Sequence, residues 1–305
     1  MTDFTKVFRR ESYATIAPNA VENDQTGRTV LVTGGSKGIG LGIASAFAEA
    51  NASMVILVAR SPETLQVASE SIKRKSTGVE VRTLAYDISD AAQIQDLWST
   101  LATDNVFVDV LVLNASTTRP PASVSEEIDM IKLNFIGHVL LFDHFKNQPN
   151  PGSRPKFVVN VSSASLHCYP YPAAMYAATK AGFGDYLCHK ADFIPEDELR
   201  IVNLHPGSVY TSAAEQAGEV AKNLPIWDDL SLPSHTALWM TCRDAAFLHG
   251  RFVWANWDMD ELLSQREKVL ADPGYLKIGI TGIGSMSVKQ LVDICERNPL
   301  SKGSR

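Results

Sequence analysis

Residues 29–40 read Thr-Val-Leu-Val-Thr-Gly-Gly-Ser-Lys-Gly-Ile-Gly, and this stretch is the most informative one about the fold. Its first part is rich in β-branched and apolar residues, which indicates a buried strand. The glycines that follow let the backbone turn sharply and approach a ligand closely. A helical pattern then begins, and a helix N-terminus offers unpaired N–H groups and a positive dipole end to a phosphate. The residues expected to line this phosphate-binding turn are Gly34, Ser36, Lys37, Gly38, Ile39 and Gly40.

Outward from this stretch, short apolar runs alternate with helical patterns. The runs contain few polar residues, which is typical of strands buried on both faces of a parallel sheet. They span Val30–Val32, Met54–Ala59, Val81–Ala85, Val108–Leu113, Phe157–Val161 and Ile201–Leu204. The helical patterns span Gly38–Ala50, Ser89–Leu101, Glu126–Phe145 and Ala173–Phe193. This alternation predicts an α/β fold with a Rossmann-like, doubly wound parallel sheet in a three-layer αβα arrangement.

The chain has 305 residues, enough for one large domain or two small ones. The alternation starts near residue 27, is interrupted at residues 206–235 and ends in a strand-like run at Arg251–Trp257; we predict a single domain over residues 27–257. Residues 1–26 are expected to form an arm packed loosely on the surface, and residues 258–305 a C-terminal extension. Residues 206–235 follow the sixth run without a regular pattern, and a segment of this length predicts a substrate lid.

Composition excludes several classes of protein. With 28 Lys+Arg against 34 Asp+Glu, the net charge of −6 argues against a nucleic-acid partner. No apolar run approaches the roughly 18 residues that span a bilayer, which argues against a membrane partner. The four cysteines form no C-x-x-C pair, so the sequence predicts no metal site and favours the reduced thiols of a cytoplasmic protein.

The residues after the second apolar run bear on cofactor choice. A carboxylate about 20 positions beyond the glycines would bind a ribose 2′-hydroxyl and select NAD. No acid is present there; instead Arg60 lies 20 residues after Gly40, and Lys37 adds a second cation. Two cations without a carboxylate suit a 2′-phosphate, so the sequence predicts NADP(H).

A second constellation lies farther along the chain. Tyr176 and Lys180 are four residues apart in a helical pattern, so their side chains share a helix face. A phenol titrates near pH ~10, and a neighbouring ammonium stabilises the phenolate and lowers that value. Ser163 follows the fifth run, 13 residues before Tyr176. Since ligands of open α/β sheets bind beyond the carboxyl ends of the strands, these three side chains are expected to meet there.

These motifs together resemble the short-chain dehydrogenase/reductase family over residues 27–257. The segment Arg251–Trp257 and residues 275–277 are similar to fungal NADP-dependent members associated with secondary metabolism. The sequence departs from the family pattern at three places: Ser116 replaces a glycine, His205 replaces an asparagine, and Ala164-Ser165-Leu166 follows the Ser-Ser pair where a glycine is usual. The matching motifs are T-G-x-x-x-G-x-G at 33–40, Asp87-Ile88, Leu113-Asn114-Ala115, Asn134, Ser163, Tyr176-x-x-x-Lys180 and Pro206-Gly207-x-Val209-x-Thr211.

The resemblance implies a role for each matching residue. Tyr176 would be the general acid/base, Ser163 would polarise the substrate carbonyl, and Lys180 would hold the nicotinamide ribose and tune Tyr176. Asn134 would hold a water that links Lys180 to solvent. Asp87 would contact the adenine amino group. The remaining cofactor contacts would come from Ile88, Asn114 and Ala115 in the cleft and from Pro206, Gly207, Val209 and Thr211 on the carboxamide side.

The resulting prediction is an NADPH-dependent carbonyl reductase that converts a ketone or aldehyde to an alcohol, or the reverse. Apolar and aromatic residues between Ser163 and Tyr176 and in the lid favour a bulky apolar substrate, such as a secondary-metabolite intermediate. A homodimer or homotetramer is expected from the resemblance. An NADP-binding cyclase, isomerase or dehydratase on the same fold and a non-catalytic NADP sensor are the alternatives, and the intact Asn134, Ser163, Tyr176 and Lys180 argue against both.

Overall fold

The computed structural model describes residues 4–150, 152–168, 173–211, 223–279 and 288–297. Its strands, β1 to β7, span Thr29–Thr33, Met54–Ala59, Glu80–Ala85, Val110–Leu113, Lys156–Val161, Leu199–His205 and Arg251–Trp254. They form one parallel sheet in the order β3-β2-β1-β4-β5-β6-β7. The order runs outward in both directions from β1 and β4, which confirms the predicted doubly wound fold and places a cleft where the direction reverses.

Helices cover both faces of this sheet. Side chains of β1 alternate between two cores: Val30 and Val32 pack on one face with Phe47, and Leu31 packs on the other with Phe142. This is the expected three-layer arrangement. The helices α1 to α10 span Gly38–Glu49, Pro62–Lys75, Ala91–Thr103, Val124–Ile131, Gly137–Asn147, Ala174–Ala191, Ser231–Trp239, Met259–Ser264, Arg266–Ala271 and Val288–Arg297. Among the described residues, no helix is long and apolar enough to cross a membrane.

Three local features differ from the sequence-based expectation. The helix predicted over Glu126–Phe145 is interrupted by a π-helical turn at Lys132–Ile136, between α4 and α5. Helix α2 was not predicted, although Ser61 caps it by accepting a hydrogen bond from the amide of Thr64. The prediction that the strands are buried on both faces is wrong for β3. Only Val81 of this strand is buried, because β3 lies at the edge of the sheet and exposed residues alternate along it with more buried ones.

The prediction that the N-terminal arm packs loosely on the surface is wrong. Ile16 is fully buried and belongs to the hydrophobic core that also holds α1 and α7. The ring of Phe4 stacks on that of Trp257 with centroids 4.5 Å apart. Phe8 pairs with the same Trp257 in an antiparallel bridge, so the last predicted strand ends at Trp254 and the residues beyond it pair with the arm instead.

Candidate active site

The glycine-rich turn between β1 and α1 is tightly packed. Gly34 and Gly38 have φ of +64° and +54°, a region that residues with a Cβ rarely adopt. A Cβ on Gly40 would lie 2.5 Å from Nδ2 of Asn114 and closer still to the carbonyl oxygen of Gly34. The turn therefore needs glycine for its own geometry, and the first backbone N–H groups of α1 have no partner within the helix, as a phosphate site requires.

Side chains at the ends of β1 and β4 hold the central cleft in shape. The hydroxyl of Thr33 donates to the carbonyl of Val112 at 3.1 Å and accepts from the amide of Asn114 at 2.9 Å. Nδ2 of Asn114 donates back to the carbonyl of Thr33 at 2.9 Å. Ala115 lies beside this pair, where its Cα would contact a Cβ on Gly34 at 3.0 Å.

The two cations predicted to select the cofactor lie beyond the ends of β1 and β2. Lys37 and Arg60 are both exposed, and neither forms an ion pair within the described part of the chain. The amide of Gly34 donates to the carbonyl of Val58 at 2.8 Å, so the glycine turn rests against the end of β2. Both cations are thus available to an anion at this edge of the sheet.

Asp87 and Ile88 follow β3. One carboxylate oxygen of Asp87 accepts hydrogen bonds from the amide and the hydroxyl of Ser89, at 2.9 and 2.7 Å. Ile88 is buried, and its carbonyl oxygen lies where a Cβ on Gly137 would stand. The third strand therefore contributes a half-buried carboxylate and a fixed loop to the same edge as the glycine turn.

Tyr176 and Lys180 lie on one face of α6, and both side chains are buried. Nζ of Lys180 lies 5.9 Å from the centre of the Tyr176 ring and donates to the carbonyl of Val161 at 2.7 Å. Burial lowers the pKa of Lys180 to about 8. The sequence-based expectation that these two residues share a site agrees with this arrangement, which also places them at the end of β5.

Ser163 stands at the same strand end, on a short loop that a histidine supports. Its hydroxyl accepts a hydrogen bond from the amide of Ser165 at 3.1 Å. Nδ1 of His205 accepts from the amide of Ala164 at 3.1 Å, and the His205 ring packs on Trp254 with centroids 4.4 Å apart. Burial lowers the pKa of His205 to about 3, so this histidine is neutral and supports the serine loop.

Asn134 lies in the π-helical turn and is fully buried. Its side-chain oxygen accepts from the amide of Thr117 at 3.0 Å, and its Nδ2 donates to the carbonyl of Thr117 at 3.0 Å. Nδ2 also lies 3.4 Å from the hydroxyl of Thr179, which donates to the carbonyl of Tyr176 at 2.9 Å. Sequence reasoning missed both threonines; the hydroxyl between Tyr176 and Lys180 was the available signal for Thr179.

The loop after β6 meets the glycine turn. Pro206 is buried, and Gly207 has a φ of +78°. A Cβ on Gly38 would lie 3.4 Å from Cγ2 of Thr211, so the two loops are in van der Waals reach. Val209 forms a bridge to Asp228, a residue that sequence reasoning did not single out.

Part of the expected substrate wall is described. The rings of Tyr210 and Trp227 pack edge to face with centroids 5.1 Å apart. Leu224 and Ile226 are 43% and 48% exposed, so they present apolar surface near this pair. The ring of His167 packs against the rings of Phe252 and Trp254, and its centroid lies 5.4 Å from the centroid of each. Residues 169–172 of the predicted wall and residues 212–222 of the predicted lid lie outside the described residues.

The site is therefore chemically suited to a nucleotide and to proton transfer. The glycine cradle would be blocked by a Cβ, and two available cations stand at its edge, which fits a dinucleotide with an additional phosphate. A phenol and an ammonium lie together at the adjoining strand end. Among the described residues, no group of His, Cys, Asp or Glu side chains could hold a metal ion.

Comparisons with known proteins agree with this architecture. The short chain dehydrogenase family matches residues 28–221. The short chain dehydrogenase/reductase nsrO of Aspergillus novofumigatus is 34% identical over 288 residues, covering 90% of this chain and 96% of that protein. AacuD of Aspergillus aculeatus, which bears the same description, is 32% identical over 281 residues, with coverage of 90% and 96%.

A solved structure has the same fold. The 3-oxoacyl (acyl-carrier-protein) reductase of Agrobacterium tumefaciens, with NADP bound, is 25% identical and superimposes with a TM-score of 0.67 over 77% of this chain and 95% of its own. The family match, the two fungal relatives and the parallel sheet all lead to one conclusion: the chain belongs to the short-chain dehydrogenase/reductase family of oxidoreductases, which act on CH–OH and C=O groups.

Proposed function

We propose that the protein is an NADPH-dependent carbonyl reductase that uses Asn134, Ser163, Tyr176 and Lys180. The observation that carries this proposal is the buried pair on α6, with Nζ of Lys180 5.9 Å from the Tyr176 ring, beside the end of β5. The family-level chemistry is oxidoreduction of CH–OH and C=O groups. A phenol beside a cation can give or take a proton and so serves either direction of that chemistry; reduction is proposed because cellular NADP pools are usually reduced.

In this mechanism, the glycine turn, Lys37 and Arg60 would hold NADPH, which would supply the hydride for the substrate carbonyl carbon. The hydroxyl of Tyr176 gives its proton to the carbonyl oxygen, and the hydroxyl of Ser163 donates a hydrogen bond that polarises the same oxygen. Lys180 holds the ribose and keeps positive charge beside the phenol, which favours loss of its proton. Asn134, whose side chain is held by hydrogen bonds to Thr117, would hold a water that links Lys180 to solvent and returns its proton.

Preference for NADPH over NADH rests on Lys37 and Arg60. Both are exposed and lack an ion-pair partner within the described residues, and no carboxylate stands at the end of β2. Asp87, Ile88, Asn114 and Ala115 line the adenine and central parts of the cleft in this proposal. The remaining contacts, on the carboxamide side, come from the loop residues Pro206, Gly207, Val209 and Thr211.

The substrate is proposed to be bulky and apolar, because Leu224 and Ile226 leave apolar surface exposed beside Tyr210 and Trp227. The fungal relatives favour a secondary-metabolite intermediate as the source of such a carbonyl. Residues 27–257 form the catalytic domain of this cytoplasmic enzyme. A homodimer or homotetramer is the proposed assembly, since α4 exposes Val124 and Ile128.

The experiment that tests the mechanism is Tyr176→Phe, assayed by NADPH absorbance with a panel of ketones and aldehydes. We expect loss of at least about two orders of magnitude in kcat, because a positioned acid–base group contributes that much. NADPH binding, followed by its fluorescence, should remain. The matched control is Tyr186→Phe on the same helix, where the ring packs on Phe183. Full turnover by Tyr176→Phe, or NADPH binding without turnover of any carbonyl by the wild type, would contradict the proposal.

Cofactor choice is tested by Arg60→Asp. A carboxylate at this position repels a 2′-phosphate and accepts a hydrogen bond from a 2′-hydroxyl, so the ratio of kcat/KM for NADPH to that for NADH should fall by about tenfold or more. Arg74→Asp reverses an exposed arginine near the end of α2 and serves as the control for net charge. An unchanged ratio in Arg60→Asp would show that Arg60 does not bind the cofactor.

A further inference from the structure

A buried carboxylate joins three parts of the chain at the edge of the candidate site. The side chain of Asp228 is only 4% exposed. Its Oδ1 lies 3.0 Å from Nε of Arg10, in the N-terminal arm. Its Oδ2 accepts from the amide of Ser208 at 2.9 Å and from Nδ2 of Asn256 at 3.0 Å. One carboxylate thus connects the arm, the loop after β6 and the segment after β7.

The loop after β6 depends on this carboxylate for its shape. The amide of Asp228 donates to the carbonyl of Ser208 at 2.6 Å, so the two residues exchange hydrogen bonds. A Cβ on Gly207 would lie 2.5 Å from Oδ2 of Asp228, and therefore only glycine lets the carboxylate approach the turn. Val209 and Thr211, which the proposed function places on the nicotinamide carboxamide, directly follow this turn.

Arg10 is the arm's contribution to the junction. Its guanidinium pairs with Asp228 and also donates to the carbonyl of Trp227, and its own carbonyl accepts from the amide of Asp229 at 2.8 Å. Hydrogen bonds of the neighbouring backbone amides also hold the arm on both sides of Arg10. The amide of Arg9 donates to the carbonyl of Asn256 at 2.7 Å, and the amide of Ser12 donates to the hydroxyl of Ser231 at 3.1 Å.

Arg10 is expected to affect the loop after β6 more than an ordinary surface ion pair would, because its partner Asp228 is a buried charge. The Arg10 side chain is 46% exposed, and an exposed pair contributes little by itself. Asp228, however, is buried, and a buried carboxylate that loses its counter-charge keeps the cost of desolvation. Without Arg10, the Asp228 side chain is expected to turn toward water, and this change weakens its hydrogen bond to the amide of Ser208.

We propose that Arg10 and Asp228 are positioning residues for the cofactor loop, so that the N-terminal arm holds residues 206–211 in the conformation that receives the nicotinamide. This inference rests on the proposed function for the identity of the ligand. The junction itself, between the arm and the loop after β6, stands on the hydrogen bonds alone. It gives the arm, which lies outside the family match that starts at residue 28, a part in cofactor binding.

The test compares Arg10→Met with a matched control at the other end of the strands, where β1 and β4 begin. Arg154 also pairs with a buried carboxylate, Asp109, at 2.7 Å, and the two side chains are 42% and 3% exposed. Asp109 accepts from the amide of Thr29 at the start of β1, away from the candidate site. Arg154→Met therefore removes a similar ion pair and should lower the melting temperature by a similar amount.

Three readouts are measured on each full-length variant: melting temperature, hydrogen–deuterium exchange of the 206–211 segment, and NADPH affinity with KM and kcat. For Arg10→Met we expect faster exchange in 206–211 and about tenfold weaker NADPH binding, with a smaller change in kcat. Arg154→Met should leave exchange in 206–211 and KM for NADPH at wild-type values. Arg10→Lys should restore most of the affinity, because it restores the positive charge.

Each outcome decides the proposal. Wild-type exchange in Arg10→Met, or the same loss of NADPH affinity in Arg154→Met, would overturn it. Failure of the proposed function has a different signature: the wild type would neither bind NADPH nor turn over carbonyls, while the exchange comparison would still report whether Arg10 holds the loop.

Discussion

At the scale of single residues, the buried Lys180 gives the site a defined pH limit. Its pKa is lowered to about 8 by burial, so it loses its charge above that pH in the free protein. Because kcat/KM reports the ionisation of the free enzyme, we expect kcat/KM for NADPH to fall above about pH 8, approaching tenfold per pH unit. Initial rates from about pH 6 to about pH 10 measure this. A constant kcat/KM up to pH 10 would contradict the role given to Lys180.

Two buried histidines predict a loss of stability in mild acid. Burial lowers the pKa of His138 and of His205 to about 3, whereas an unfolded histidine titrates near pH ~6.5. Between these values the unfolded chain binds protons that the folded chain cannot. The free energy of unfolding should therefore be highest above about pH 6.5 and fall on acidification by roughly 1 kcal/mol per pH unit for each histidine.

Urea unfolding at about pH 7.5 and about pH 5 measures this loss. His138→Leu should show a smaller difference between the two pH values, because one buried imidazole is gone. His189→Leu, at an exposed position of α6, is the control for replacing a histidine by leucine. An equal pH dependence in His138→Leu and the wild type would contradict the assignment.

The placement of Tyr176, Lys180 and Ser163 at one strand end could be predicted from the sequence, but the residues that support them could not. Helical spacing alone places Tyr176 and Lys180 on one face, and a serine after a buried strand must lie at the strand's carboxyl end. Thr117 could not be found in this way. It supports Asn134 only because the loop after β4 passes the π-helical turn, and a path through space leaves no local pattern in the sequence.

Among the structural elements, the glycine turn between β1 and α1 is expected to be sensitive to the addition of a single methyl group. Gly40→Ala would place a Cβ 2.5 Å from Nδ2 of Asn114. The same Cβ would lie closer still to the backbone carbonyl oxygen of Gly34, which is packed and cannot move freely. We expect destabilisation of about 1–3 kcal/mol, typical of overpacking, together with weaker NADPH binding. Gly78→Ala is the control, because a Cβ there has nothing within 4 Å. Urea unfolding compares the two; equal stability of both variants would show that the crowding at Gly40 is relieved at no cost.

Strand positions followed from sequence because a strand buried on both faces needs an unbroken apolar run. The run Met54–Ala59 coincides with β2 for this reason. The interruption between α4 and α5 was not predictable. The apolar positions of Glu126–Phe145 fit one continuous helix, and the extra residue in the turn accompanies the bonds of Asn134 to Thr117, which lies 17 residues away.

At the scale of the whole molecule, the arm is part of the core. Ile16 is fully buried, so Ile16→Ala should lower the free energy of unfolding by about 2–5 kcal/mol, the usual cost of a large-to-small change in a packed interior. Val21, five residues later in the same arm, is 85% exposed, and Val21→Ala should change stability by less than about 0.5 kcal/mol. Urea unfolding of both variants distinguishes an integral arm from a loose one, in which the two substitutions would have equal effects.

The pairing of Phe8 with Trp257 also sets an order of events during synthesis. About 250 residues separate the two partners, and at roughly 5–20 residues per second the ribosome needs about 12–50 s to make them. Throughout that interval Phe8 lacks its partner, whereas other parts of the arm, such as Ile16, pack against helices that are made earlier. The docking of Arg10 on Asp228 must also wait until residue 228 has been made. Phe8 and Arg10 thus reach their native contacts long after they are made, and the loop after β6 gains its contact with the arm only once residue 228 has left the ribosome.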